Sequence, residues 1–220
     1  MRILIILFVF FQSFCSASAA ENLENISEQQ CELVFKHHLQ HLKNLEIDRK
    51  PGVVLFSGTQ AMGKTFLARK IEDELGGIRV STNVIRSYMD ENNITVNRDN
   101  VGIYTKYFFT KISEHTKNRF FILDSSVCRK YEEIKGFMQA KGIDKSFLIR
   151  IEIPYEEAKL RLHERNDAGL VLPHFEKYLT QHKEFGEKFA DQFDIVLTET
   201  VKLSENQLAL LYQDIRRKIL

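Results

Sequence analysis

Residues 53–65 read Val53-Val54-Leu55-Phe56-Ser57-Gly58-Thr59-Gln60-Ala61-Met62-Gly63-Lys64-Thr65. A short apolar run leads into G-x-x-x-x-G-K-T, and a helical pattern starts at Lys64. That order predicts a buried strand, a tight phosphate loop and a helix. The loop turns its backbone N–H groups inward, and the helix sets its positive dipole end on the same spot. Residues Gly58, Thr59, Gln60, Ala61, Met62, Gly63, Lys64 and Thr65 are therefore the expected cradle for a nucleoside triphosphate. Lys64 supplies a mobile charge for the β- and γ-phosphates, and Thr65 offers a hydroxyl to Mg²⁺. A chance match fixes only four positions, but it would not bring the flanking strand and helix with it.

Outward from this loop, strands and helices alternate. Expected strands cover Val53–Ser57, Ile78–Ser81, Phe120–Leu123, Phe147–Ile153 and Ile195–Thr198. Expected helices cover Lys64–Leu75, Val84–Asp90, Val101–Lys117, Lys130–Lys141, Glu156–Arg165, Pro173–Phe189 and Glu205–Leu220. Such alternation predicts an α/β fold with a parallel sheet of about five strands and helices on both faces. Ligands then gather at the carboxyl ends of the strands, where Lys64, Asn83 and Asp124 fall. Residues 21–50 read as a polar helical lead-in that ends at Pro51-Gly52, so the main domain spans 51–220.

The first 20 residues read differently. Met1-Arg2 precedes an apolar run from Ile3 to Phe11, and Ser16-Ala17-Ser18-Ala19-Ala20 supplies an A-x-A site. This is the pattern of a secretory signal peptide, too short for a comfortable membrane span. It predicts export, periplasmic or secreted, with no membrane anchor after cleavage. Of 31 basic and 30 acidic side chains the leader removes only Arg2, leaving 31 − 1 = 30 against 30. Balanced charge gives no general pull towards a long nucleic acid or an anionic membrane. Cys31 and Cys128 remain. Export permits a disulfide between them, and two buried thiols satisfy the sequence equally well.

Other residues carry candidate chemistry. Asp124 ends the run Phe120-Phe121-Ile122-Leu123. It can hold Mg²⁺ opposite Thr65, position an acceptor hydroxyl, or cap the next helix. Arg161 and Arg165 lie four apart in Lys159-Leu160-Arg161-Leu162-His163-Glu164-Arg165. They either neutralise a transferring phosphoryl group or form a solvated face in which Glu157 pairs with Arg161. In Val80-Ser81-Thr82-Asn83-Val84-Ile85-Arg86, Asn83 either caps a helix starting at Val84 or touches substrate. Arg86 either binds an acceptor phosphate or carboxylate or sits on the helix surface. A GTPase reading lacks an N-K-x-D motif, and Asp73-Glu74-Leu75-Gly76 matches D-x-x-G only at a helix end.

The ordered set GTQAMGKT, VSTNVIR, FFILDSS, IEIPYEEAKLRLHERN and Leu172-Pro173 resembles the P-loop kinases related to the 5′-polynucleotide kinase domain. Zeta-toxin-like kinases are close by within this AAA ATPase-like group, and the resemblance runs from about Val53 to Thr198. It implies a three-layer P-loop NTPase fold. It also implies transfer of the γ-phosphate of ATP, with Mg²⁺, to a hydroxyl on a small molecule, a nucleotide sugar or a nucleic-acid end. On this resemblance Lys64, Asp124, Arg161 and Arg165 are catalytic, Thr65 and Asp124 serve the metal, and Asn83 and Arg86 meet the acceptor. The family usually reads Ser-x-Asp-x-x-Arg at the second element, where the Asp is the general base. Asn83 stands at that position, and an amide cannot take the proton. Asp90 or Asp124 would then serve, or the chain is a nucleotide-binding protein without turnover.

Overall fold

The computed structural model describes residues 25–164, 169, 172–200 and 202–220. Five parallel strands form one sheet: β1 (Arg49–Ser57), β2 (Ile78–Ser81), β3 (Asn118–Ser126), β4 (Ser146–Ile151) and β5 (Ile195–Leu197). Their order is β2-β3-β1-β4-β5, so the phosphate-loop strand lies at the centre. Among the described residues the helices are α1 (Glu28–Gln40), α2 (Lys64–Leu75), α3 (Thr82–Glu91), α4 (Arg98–Lys111), α5 (Tyr131–Ala140), α6 (Tyr155–His163), α7 (Phe175–Lys188) and α8 (Glu205–Ile219).

The period of two in β1 divides the interior into two cores. Val53 and Leu55 face one core with Phe35 of α1, Ile85 of α3, Phe108 of α4 and Phe185 of α7. Val54 and Phe56 face the other with Leu67 and Ile71 of α2, Leu162 of α6 and Ile215 of α8. In β3, Phe121 and Leu123 join the first core, and Phe120 and Ile122 the second. The sheet is therefore the middle of three layers, and both its faces are dry. That is why β1 and β3 read as continuous apolar runs rather than alternating ones.

Several boundaries depart from the sequence reading. β1 begins at Arg49, so Pro51-Gly52 lies inside a strand instead of ending a segment. Pro51 has no N–H to give the ladder, and the β1–β3 register shifts between Arg49 and Gly52 where it sits. α3 starts at Thr82 with Ser81 as N-cap, two residues before the expected Val84. α4 starts at Arg98 because the Asn97 side chain accepts the Asn100 N–H and caps it. It stops at Lys111 and passes into a 3₁₀ turn over Ile112–Glu114. α1 is not a surface lead-in alone, since Cys31, Val34, Phe35 and His38 are buried in the first core.

Candidate functional site

The phosphate loop leaves the end of β1 and turns through two left-handed positions, Ala61 (φ 61°) and Gly63 (φ 85°). Gly63 is also the N-cap of α2, with no side-chain cap bond, so the first amides of that helix are left to the loop. A side chain at Gly63 is excluded twice. Its φ disfavours one, and a Cβ would lie 2.1 Å from Thr200 Oγ1. Thr200, fully buried beyond β5, donates through Oγ1 to the Met62 carbonyl at 3.1 Å. The Met62 side chain turns into the second core, and its Sδ accepts the Thr59 N–H at 3.2 Å. Met62 thus supports the loop from beneath, unlike the rest of the expected cradle. Lys64 folds back over the loop and donates through Nζ to the Thr59 carbonyl.

Asp124 stands on β3, the strand next to β1. Leu55 pairs with Leu123 and Phe56 with Ser126, so Asp124 and Ser125 form an irregularity that one step of β1 spans. Such a bulge re-aims side chains. Thr65 Oγ1 donates to Asp124 Oδ1 at 2.9 Å. Arg79 of β2 donates through Nη1 to Asp124 Oδ2 at 2.9 Å and through Nε to Glu72 Oε2 of α2 at 3.0 Å. Both carboxylates are almost fully buried, so one guanidinium balances two acids under the loop. Asp124 caps no helix, and that alternative is set aside.

A cavity of about 670 Å³ opens above these groups. Gly58, Thr59, Gln60, Ala61, Gly63, Lys64, Thr65 and Asp124 line it on one side. Thr82, Asn83 and Arg86 of α3 line it on another, as do residues of α4 and α5. Asn83 sits in the first turn of α3, exposed, and is not its N-cap, which corrects the capping alternative. Arg86 is exposed and reaches the same cavity. Asp90, an expected substitute base, is not among the described residues that line it. Arg161 lines it too, but its Nη2 pairs with Glu157 at 2.6 Å and with Glu199 at 3.3 Å. The i,i+4 pair expected of a charged helix face therefore forms. The other nitrogen, Nη1, is buried without a hydrogen-bond partner. A buried cationic donor left unsatisfied beside a phosphate loop suits an anionic ligand. Arg165 lies outside the described residues, as does the leader.

Glu72, Arg79, Glu199 and Thr200 were not expected from the sequence. One signal was available for Arg79: a charged residue inside the four-residue strand Ile78-Arg79-Val80-Ser81, otherwise nearly buried. Nothing in the sequence joins Thr200 to Met62, 138 positions away. The two cysteines are free thiols. Burial pushes the Cys31 thiol up to about 11. Cys128 lies 3.3 Å from Ser57 Oγ, at the foot of the loop.

Central strand, phosphate loop and the acid on the neighbouring strand define a P-loop protein of the kinase fold. The chain belongs to the AAA domain family, whose model matches residues 53–189. No curated protein sequence matches it. Among solved structures, it is similar to a protein of the PezAT chromosomal toxin–antitoxin system of Streptococcus pneumoniae, at TM-score 0.58 and 14% identity. That match covers 89% of this chain and 97% of the other. A candidate kinase from Chloroflexus aurantiacus matches at TM-score 0.51 and 14% identity, over 78% of this chain and 100% of the other. At such identities the likeness is one of fold.

Proposed function

We propose that this protein is an ATP- and Mg²⁺-dependent phosphotransferase that moves the γ-phosphate to a hydroxyl acceptor. The observation that carries the reading is the Thr65–Asp124 contact of 2.9 Å, at the start of α2 and at the wall of one cavity shared with Lys64 and Arg161. Loop amides and Lys64 hold the phosphates, and Lys64 exchanges its contact with Thr59 for them. Thr65 and Asp124 are the oxygen donors for the metal, which neutralises charge on the phosphate oxygens when bound. Arg161 adds its unsatisfied Nη1 to the transferring group. The residues present fit both groups.

The acceptor oxygen bonds to the γ-phosphorus as the bond to the bridging oxygen of ADP breaks. ADP leaves with the electron pair, and the hydroxyl proton passes to water, since Asn83 cannot take it. Asn83 is also the observation that favours a second reading, a nucleotide-binding protein without turnover. Transfer of label from ATP to a panel of hydroxyl acceptors separates the two. The kinase reading expects transfer that Lys64→Ala lowers by at least about 100-fold, through loss of charge stabilisation at the phosphates. Tight Mg·ATP binding with no Lys64-dependent transfer would establish the second reading instead.

The leader supports a further part of this proposal: the protein acts after export, in the periplasm or outside the cell, and must meet its ATP there. N-terminal sequencing of protein recovered from its own cells should begin at Ala20 or Glu21. Recovery from cytosol with the first 20 residues intact would rule export out.

A further inference from the structure

Gly102 lies in the interior of α4 and lines the cavity. A Cβ built there would meet no heavy atom within 4 Å. Glycine weakens a helix interior relative to alanine, and here no neighbouring atom requires it. What its missing side chain keeps open is the cavity itself. Leu123 and Phe109 form part of the same wall, and α5 adds Ile134, Phe137 and Met138. Phe109 and Phe137 meet edge to face, with ring centroids 6.2 Å apart. Phe109, Leu123 and Met138 are otherwise buried members of the first core, so the cavity wall here is the surface of the core. Hydroxyl groups pressed against such a wall would lose hydrogen bonds to water without replacement. The face of a flat ring gains by covering it.

The rim is mainly basic, and its acid, Glu133, is paired. Lys106 and Lys130 are both engaged by Glu133, at 2.8 and 3.6 Å. Arg129 stacks on Tyr178 at 4.3 Å and donates to Gln181 at 2.7 Å. Arg86 of α3 and Arg98 at the start of α4 are exposed, and neither guanidinium has an ion pair or hydrogen bond among the described residues. Two unengaged guanidiniums beside an apolar floor suit a ligand with a phosphate or carboxylate at one end.

We propose that the space between α4 and α5 is an acceptor subsite for a compact hydroxylated anion with a flat ring, whose face rather than its edge meets the apolar wall. The ring lies over Gly102 against Phe109 and Phe137, and the anionic group meets Arg86 and Arg98. The assignment rests on the phosphotransfer reading for the fate of the hydroxyl, but the binding it describes stands apart from turnover. It disfavours polyols, which lack the ring, and uncharged aromatic alcohols, which lack the anion.

Thymidine 5′-phosphate, thymidine and 2-deoxyribose 5-phosphate test the two requirements separately, with labelled ATP as donor. The phosphorylated nucleoside should exceed each of the other two in kcat/KM by about tenfold or more, and Arg98→Ala should raise its KM by a similar factor. Gly102→Leu fills the subsite without meeting a neighbour at Cβ. It should leave the Kd for Mg·ATP within about twofold, should not lower the thermal midpoint, and should cut kcat/KM for the acceptor by about tenfold or more. Equal use of 2-deoxyribose 5-phosphate, or transfer indifferent to Gly102→Leu, would overturn the assignment. If the wild type transfers nothing, calorimetric binding of thymidine 5′-phosphate is measured with the nucleotide site filled by a non-hydrolysable ATP analogue. Binding that Gly102→Leu abolishes keeps the subsite while the phosphotransfer reading fails; no binding overturns the subsite as well.

Discussion

Asp124 presents one oxygen to Thr65 and gives the other to Arg79, which also holds Glu72. The carboxylate nearest the loop is therefore fixed in direction before any ligand arrives. Arg79→Leu would leave two nearly buried carboxylates without a counter-charge, and such losses destabilise by about 3–5 kcal/mol. Denaturant unfolding should show that drop. Arg79→Lys should fall between, because an ammonium keeps the charge but cannot bond both acids as a planar fork does. Asn83 belongs to the same scale. It is exposed on the cavity wall, so Asn83→Asp places a carboxylate there without burying charge. If phosphotransfer occurs, this variant should raise kcat by about 100-fold, the usual worth of a positioned base, with little change in the KM for ATP. An unchanged kcat would show that proton removal does not limit the step. The residues legible in advance were those with a short-range signature: the loop, the strand-end Asp and the i,i+4 arginine. Arg79, Glu199 and Thr200 were not, because their partners are set by which strands become neighbours.

Among elements, β1 and β3 were legible because a strand buried on both faces is written as an unbroken apolar run. Their limits were less so. Pro51-Gly52 looks like punctuation, yet the strand runs through it at the edge of the ladder. Gly52 has a tertiary reason that no local rule contains: a Cβ there would come within 1.9 Å of Ile219 Cγ2 on α8. The last helix lies directly on the first strand, with Leu211, Ile215 and Ile219 buried against the second core. Gly52→Val should thus push α8 off the sheet and destabilise the protein by about 1–3 kcal/mol, the usual range for overpacking. Chemical denaturation measures it, and Ile219→Ala should recover part of the loss in the double variant. Recovery would place the clash between strand and helix, whereas no recovery would place the strain in β1 itself. β5, expected over Ile195–Thr198, forms over Ile195–Leu197; none of its three residues is fully buried, and it pairs with β4 at the edge of the sheet.

At the scale of the whole molecule, two buried histidines flank the first core among the described residues. His38 of α1 is 3.0 Å from the Tyr104 hydroxyl, and His182 of α7 is 3.0 Å from Ser57 Oγ. Burial, aided by Arg79, lowers the pKa of His38 to about 4. Burial, aided by Arg150, does the same to His182. Both rings are neutral in the fold at pH 7. Once unfolded they return to the ordinary value near 6.5. Between about pH 6.5 and 4 the unfolded chain therefore binds more protons than the native one, so stability rises with pH across that window and is lost as pH falls through it. Each ring can contribute up to about 3 kcal/mol to that loss. The two histidines tie distant parts together, the helix before the sheet and the strand end beneath the phosphate loop. Acid should therefore loosen both ends of the molecule at once. Thermal midpoints recorded from pH 7 down to about pH 4.5 should fall steeply for the wild type, and His182→Asn should fall less over the same interval. A profile of equal slope in the variant would mean that His182 is already charged in the native protein, and that burial beside Ser57 and Arg150 does not hold it neutral.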